Sequence, residues 1–268
     1  LLSLEKQLLF LLSSAASIDV RQLVEIYEKR GIDHQVIRNA LARLKKDGYV
    51  LSPERSSYSI TQPGLDFMNT INRKPLLLDK RWDGQWLSVL FEVPESERKK
   101  RDSFRNDLLQ LGFGAMYKSV YVSPWDYAGE ILRVAENYGL QGRVTLARGV
   151  FVHGAPASRQ ARQIWRLDEL NEVYRVKIDW LRTEFRPAIA PLFDEPDDGL
   201  NLFVRFLELG ELVADLSLSD PMLPEELLEE DWLGRACLRE MQEILVRLAN
   251  AIPVRSSYRA FVARFLHE

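Results

Sequence analysis

Residues 31–64 read GIDHQVIRNALARLKKDGYVLSPERSSYSITQPG, and this stretch decides the architecture. Asp33 stands where a carboxylate can accept from the free amides of a helix's first turn. Val36, Ile37, Ala40, Leu41 and Leu44 then recur at helical spacing and predict one buried apolar stripe. The opposite surface carries His34, Gln35, Arg38, Asn39, Arg43, Lys45 and Lys46. Asp47-Gly48 stops the helix, and Gly48 suits a left-handed cap. Tyr49-Val50-Leu51 and Ser57-Tyr58-Ser59-Ile60 are β-prone and are separated by the polar loop SPERS at 52–56. A helix followed by a two-stranded ribbon with a polar tip is the outline of a winged helix-turn-helix, whose second motif helix enters the DNA major groove.

The side chains suit that role. Arg38 and Arg43, with Gln35 and Asn39, are residue types that pair bidentately with guanine or adenine edges. Lys45, Lys46 and the wing residues Arg55, Ser56 and Ser57 are candidates for phosphate contacts, which position a protein without specifying sequence. His34 shares the surface. On a lone helix the same pattern would be a solvated face; the helices before it and the ribbon after it are what point to DNA.

Working outward, residues 4–14 predict a first helix with Leu4, Leu8, Leu11 and Leu12 inside. Ser17-Ile18-Asp19 opens a second helix carrying Leu23, Val24, Ile26 and Tyr27, closed by Lys29-Arg30-Gly31. Beyond the ribbon, Thr61 offers an N-cap and Pro63 fits the first turn of a fourth helix, with Leu65, Phe67, Met68 and Ile71 packing behind the wing. The first domain is thus expected over 1–75.

The second, over 76–155, begins after a linker. WLSVLFEV at 86–93 predicts a strand ended by Pro94. A charged helix follows over 95–111 with Phe104, Leu108 and Leu111 inward, then a sharp Gly112-Phe113-Gly114 turn and one or two strands over 115–122 with Lys118-Ser119 near the bend. A helix over 127–138 places Ile131, Leu132, Val134 and Ala135 inside, and a strand over 143–152 closes the unit. This βαββαβ order is that of a ferredoxin-like fold. Residues 156–268 show helical patterning only: one long helix over 167–185 ended near Pro187, another over 200–218, at least one more over 225–248 with Gly234 as a candidate break, and a closing stretch over 254–267. The fold class expected is α+β: a winged helix-turn-helix, a ferredoxin-like middle domain and an all-helical C-terminal domain.

Composition narrows function. Hydrophobic content of 46% and charged content of 28% in 268 residues fit an ordinary globular chain with ample core. The net charge is −3, but residues 1–81 hold 13 Lys/Arg against 9 Asp/Glu, whereas 194–231 hold 13 Asp/Glu and only Arg205. That asymmetry suggests a nucleic-acid-facing front and an acidic back. Cys237 is the sole cysteine, which permits neither an intrachain disulfide nor a Cys-based zinc site. His34, His153 and His267 show no ligand spacing, so neither a metal nor a catalytic residue is assigned. LLSLEKQLLFLL at 1–12 is short and interrupted by Glu5 and Lys6, so no membrane span or leader is expected and the location expected is cytoplasmic. No phosphate-binding glycine loop is present.

Three landmarks occur in combination: GIDHQVIRNALARLKKDGYV, then WDGQWLSVLFEVPESERKKRDSFRNDLLQLGFGAMYKSVYVSP, then DPMLPEELLEEDWLG. Together they resemble the PaaX family of bacterial transcriptional repressors, named for control of phenylacetic acid degradation, over nearly the whole chain. The resemblance implies a homodimeric, non-enzymatic repressor that binds double-stranded operator DNA through Gln35, Arg38, Asn39 and Arg43, with the helical domain over 156–268 serving effector binding and dimerisation. It also implies release by an acyl-CoA effector, phenylacetyl-CoA for the namesake, with no resident cofactor and no effector pocket assigned to particular residues. One motif departs: where the family often has D-W-P-G, this chain has Asp231-Trp232-Leu233-Gly234.

The alternative function is a metal-dependent nuclease on the middle domain, which also resembles small CRISPR-associated ferredoxin-fold nucleases. Its nearest candidate ligand is Glu92, one carboxylate where a metal site wants several convergent oxygens. The tryptophans at 82, 86, 125, 165, 180 and 232 are read as core or interface rather than as a ligand pocket.

Overall fold

Local signals set the first elements. In the computed structural model, which describes residues 3–194 and 198–266 and, within 69–72, the backbone alone, the chain starts with α1 (Leu4–Leu12), a short β1 (Ile18–Asp19) and α2 (Val20–Glu28). α3 (His34–Lys46) follows, then β2 (Val50–Leu51), β3 (Ser57–Ile60) and α4 (Gln62–Asn72). Asp33 caps α3, its Oδ1 accepting from the Gln35 amide at 2.7 Å. Gly48 takes φ +78, the left-handed conformation that ends the helix. Thr61 caps α4: its hydroxyl accepts from the Gly64 amide at 3.3 Å and donates to the Gly48 carbonyl at 2.7 Å. Gly64 is needed for close approach, because a Cβ there would lie 2.4 Å from the Tyr49 carbonyl oxygen and 2.7 Å from Ile60 Cγ1.

β1 is a departure from the expected helix start at Ser17. Ile18 pairs with Tyr58 and Asp19 with Ser57, giving a three-stranded antiparallel sheet in the order β1-β3-β2. A two-residue strand has no alternation to read, so it exists only because β3 supplies its partners. Asp19 is both its last residue and the N-cap of α2, accepting from the Arg21 amide at 2.8 Å. Ile37, Ala40, Leu41 and Leu44 of α3 are buried with Leu8, Leu11, Leu12, Leu23, Ile26 and Tyr27, as the stripe predicted. Val36 is a correction: it stands 47% exposed, one helical step off the buried face. Ile71 lies outside the described side chains.

The chain divides into two compact units, and residues 156–268 contribute to both. The first unit comprises Leu1–Arg73, Val176–Leu216 and Ala236–Glu268. Its later part includes most of α10 (Leu200–Ser219) and α11 (Gly234–Ala251), which follow α5 to α9 defined below. Phe203 stacks on Phe206, Tyr258 and Phe261 at centroid distances of 6.2, 5.3 and 5.4 Å. Glu211 of α10 grips Arg30 at the end of α2 with bonds of 2.5 and 2.8 Å, and Arg30 also donates to Gln7 at 3.1 Å.

The second unit comprises Lys74–Arg175 and Ser217–Arg235. In order it holds β4 (Trp86–Phe91), α5 (Arg98–Gln110), β5 (Gly114–Tyr117), β6 (Val120–Ser123), α6 (Ala128–Asn137) and β7 (Val144–Gly149). α7 (Ser158–Ile164) and the first part of α8 (Leu167–Trp180) complete its helices. The strands form an antiparallel sheet in the order β5-β6-β4-β7, with β4 paired to β6 and β7. Phe91 meets Phe104 of α5 edge-on at 5.1 Å, so α5 covers the sheet face carrying Leu87, Val89 and Phe91. The other face, carrying Trp86 and Val122, packs with Ala161, Leu167, Leu223 and Leu227. Three expected inward residues differ: Leu132 is 56% exposed, and Leu111 and Val134 are half-buried, because α5 and α6 bury narrower stripes than their apolar residues offered.

The helix expected to end near Pro187 does not stop there. α8 passes through a π-turn at Leu181–Phe185 into α9 (Arg186–Ile189) and a 3-10 turn at Ala190–Phe193. Pro187 sits in the first turn of α9, and the wider preceding turn accommodates its missing amide hydrogen. Helices and two small antiparallel sheets make the chain α+β. Among the described residues no helix is long and apolar enough to cross a membrane.

Candidate nucleic-acid interface

The exposed face of α3 gathers His34, Gln35, Arg38, Asn39, Arg43, Lys45 and Lys46 on one thirteen-residue helix. Burial of the opposite stripe fixes this face outward, so the amphipathic spacing itself presents the polar set. Gln35 Nε2 donates to Asn39 Oδ1 at 3.0 Å, an i,i+4 bond that orders both amides. His34 Nδ1 lies 3.9 Å from Asp33 and 4.0 Å from Glu28, beside the helix start. Arg43, Lys45 and Lys46 occupy the last turn, where cations complement the helix dipole.

Arg43 is not simply displayed. Its Nε and a terminal nitrogen donate to Glu5 of α1 at 2.9 and 2.6 Å, which braces α3 against the first helix. Glu5's own backbone amide, followed by this guanidinium, holds the Glu5 carboxyl below its ordinary range. Glu5 lies 38 residues away, and nothing in its sequence surroundings signals the pairing.

The ribbon tip divides the remaining candidates. Arg55 and Ser56 are exposed between β2 and β3, whereas Ser57 is half-buried and belongs to β3. Ser56 adopts φ +66, and its carbonyl accepts from Val20 at 2.8 Å, which ties the tip to the start of α2. Ser52 Oγ donates to the Glu54 carbonyl at 2.8 Å and tightens the loop. The tip therefore presents Arg55 on a loop held at both ends.

In the second unit α5 also displays charge, with Arg98, Lys99 and Lys100 exposed. Most of the five-residue charge run at 97–101 is paired: Arg101 bonds Glu95 at 2.8 Å, Arg98 pairs with Asp102 at 3.4 Å, Lys100 pairs with Glu97 at 3.0 Å, and Arg143 bonds Glu97 at 2.7 Å. Glu92 is exposed just past β4, and among the described residues no three His, Cys, Asp or Glu are grouped to hold a metal ion.

What this unit does contain is a polar knot built from the D-P-M-L-P and D-W-L-G segments, buried around Asp220 and exposed at Asp231. Asp220 accepts from the Met222 amide at 2.6 Å and the Tyr174 hydroxyl at 2.7 Å; burial raises its carboxyl above the ordinary range. Lys74 donates to the Leu218 and Asp220 carbonyls at 2.7 and 3.1 Å, and burial pushes its ammonium down to about 8. Trp125 Nε1 donates to Met222 O at 2.7 Å, and the Asn171 side chain bonds Asp231 O and Leu233 N at 3.0 and 2.9 Å. Arg162 binds Asp231 at 2.8 and 3.0 Å and also pairs with Glu229 and Asp168. Cavities beside Asp220 and beside Asp231 measure about 10 Å³ each, room for a water rather than a metabolite. These motif residues act as a structural clamp, and the polar groups satisfy one another.

Comparison with known proteins divides the chain differently, into three consecutive segments. Residues 8–64 match the family described as PaaX-like protein, 79–163 the PaaX protein central Cas2-like domain, and 165–256 the PaaX-like protein C-terminal domain. The transcriptional repressor PaaX of Escherichia coli K12 is 28% identical over 239 residues, covering 85% of this chain and 73% of that protein. The solved structure of an uncharacterised protein, Rv0674 of Mycobacterium tuberculosis, superposes with a TM-score of 0.61 at 21% identity over 91% of this chain and 94% of its own, which is a likeness of fold.

Proposed function

The chain belongs to the PaaX family, and on that premise we propose that it is a DNA-binding transcriptional repressor of an aromatic-acid catabolic operon. The observation that carries this is the exposed polar face of α3 beside a braced ribbon tip. α1 to α4 with the β1-β3-β2 sheet work as a winged helix-turn-helix: α3 enters the major groove, and Arg55 with Ser56 and Ser57 meets the backbone. The βαββαβ order of β4 to β7, with its β5-β6-β4-β7 sheet, supports a ferredoxin-like middle domain. Two copies bind a pseudo-palindromic operator, each placing one α3 in a half-site. The protein is a cytoplasmic regulator rather than an enzyme.

An aryl- or acyl-CoA thioester such as phenylacetyl-CoA releases the operator. To do so it binds the DNA-incompetent state more tightly than the competent one, since a ligand indifferent to the two shifts nothing. A coupling of about 1–3 kcal/mol changes operator affinity roughly 5–150-fold. The test is a titration of the protein against the promoter DNA upstream of its own gene, with and without phenylacetyl-CoA and free phenylacetate. Tight binding released by the thioester alone is the expected result. Affinity no greater than for unrelated duplex overturns the DNA-binding reading, and tight binding insensitive to the thioester overturns the effector.

A further inference from the structure

Val36 is the residue of α3 that its own helix does not use. It is valine, β-branched and apolar, and it stands 47% exposed among amides and guanidinium groups rather than in the stripe formed by Ile37, Ala40, Leu41 and Leu44. Its neighbours explain what it could touch. Gln35 precedes it in the chain, and Asn39 lies three residues on, hence beside it on the helix surface. Gln35 Nε2 donates to Asn39 Oδ1 at 3.0 Å. That bond consumes a donor of Gln35 and an acceptor site of Asn39, so the pair turns outward with a Gln35 carbonyl oxygen and an Asn39 amide nitrogen. Neither atom has another partner among the described residues. The patch therefore presents one acceptor, one donor and one methyl-bearing surface side by side near the start of the helix.

On a single base, only one major-groove edge matches that donor and acceptor. Adenine displays an acceptor at N7 and a donor at N6, and thymine displays a 5-methyl group; guanine offers two acceptors, and cytosine only a donor. We infer that Gln35, Val36 and Asn39 form an A·T-reading patch. Asn39 donates to adenine N7, Gln35 accepts from adenine N6, and the Val36 isopropyl group packs on the 5-methyl of an adjoining thymine. This rests on the DNA-binding reading of α3 and adds to it the identity of a base step and a specificity residue without hydrogen-bonding capacity. Arg38, Lys45 and Lys46 supply phosphate or guanine contacts around the patch, and Val36 decides which pair is accepted at its position.

The test removes single atoms from the DNA. Using the full chain and the operator mapped by footprinting on its own promoter, each thymine is replaced in turn by deoxyuridine, which lacks only the methyl, and each adenine by 7-deazaadenine, which lacks only N7. Binding is measured for the wild type, Val36→Ala and Asn39→Ala. Both substitutions lie at exposed helical positions where alanine favours the helix, and matching thermal melts confirm intact folding. Wild type is expected to lose about fourfold in affinity per half-site at one thymine position, the worth of one buried methyl. It should lose about fivefold or more at a neighbouring adenine. Val36→Ala should abolish the deoxyuridine effect and retain the 7-deazaadenine effect, and Asn39→Ala should do the reverse. If wild type binds the operator but no thymine replacement matters, or the effect persists unchanged in Val36→Ala, this inference is overturned while the DNA-binding reading stands. If operator and unrelated duplex bind alike, both are overturned.

Discussion

Glu211→Ala is the substitution whose cost follows most directly from the geometry. Arg30 and Glu211 form a two-point ion pair at 2.5 and 2.8 Å, with 15% and 8% of their side chains exposed, joining the end of α2 to α10 within one unit. Removing one member of a buried pair leaves the other charge desolvated and costs about 3–5 kcal/mol. Arg30 would keep its bond to Gln7 at 3.1 Å and the Tyr27 ring at 5.6 Å, so the lower end, about 3 kcal/mol, is expected. The double variant Arg30→Met with Glu211→Leu replaces the pair by apolar volume and should return to within about 1 kcal/mol of wild type. Urea unfolding followed by circular dichroism and by tryptophan fluorescence, in which Trp180 reports for this unit, compares wild type, Glu211→Ala and the double variant. A Glu211→Ala loss under about 0.5 kcal/mol, the range of an ordinary surface change, would refute the argument. So would a double variant no more stable than Glu211→Ala.

Other expectations are as direct. Gly64→Ala should destabilise by about 1–3 kcal/mol despite alanine's better helix propensity, because its Cβ meets the Tyr49 carbonyl at 2.4 Å; a neutral melting shift would show that α4 can move away. Lys74 has its pKa lowered from 10.5 to about 8, so between those values the unfolded chain binds more protons than the folded one and stability rises with pH. The burden of the charged form, on the order of 3 kcal/mol, is full below pH 8 and fades as pH climbs from 8 to 10.5. Stability measured against Lys74→Met should therefore improve across that window, and a flat difference would contradict the assignment. Arg38→Ala should cost about 1–3 kcal/mol in operator affinity if Arg38 reads a base, with little change for unrelated DNA. Lys46→Ala should instead weaken all duplexes alike and lower the salt slope by about one, and a sequence-selective loss would move it to the base-reading group.

What the amino-acid sequence determined by itself is local. The Asp33 and Thr61 caps, the left-handed Gly48 and the α3 stripe from Ile37 to Leu44 each involve residues within a few positions of one another. Backbone sterics and helical or strand period therefore settle them before any tertiary contact forms. The polar face of α3 was legible for the same reason: once one stripe is buried, its opposite is displayed. The strands and helices from Trp86 to Gly149 were legible as a βαββαβ order from period changes alone.

The tertiary structure decided what depends on distant partners. β1 exists because Tyr58 and Ser57 lie alongside Ile18 and Asp19, and Val36 is exposed because the core closes on Ile37 instead. Arg43 meets Glu5 across 38 positions, Arg30 meets Glu211 across 181, and Lys74 finds the Leu218 carbonyl across 144. Such pairs carry no periodic signal, and a charged residue reads as solvated until a partner arrives to offset its burial. Residues 156–268, uniform in helical pattern, contribute to two units because period records that a helix has an apolar face and is silent on which surface will cover it.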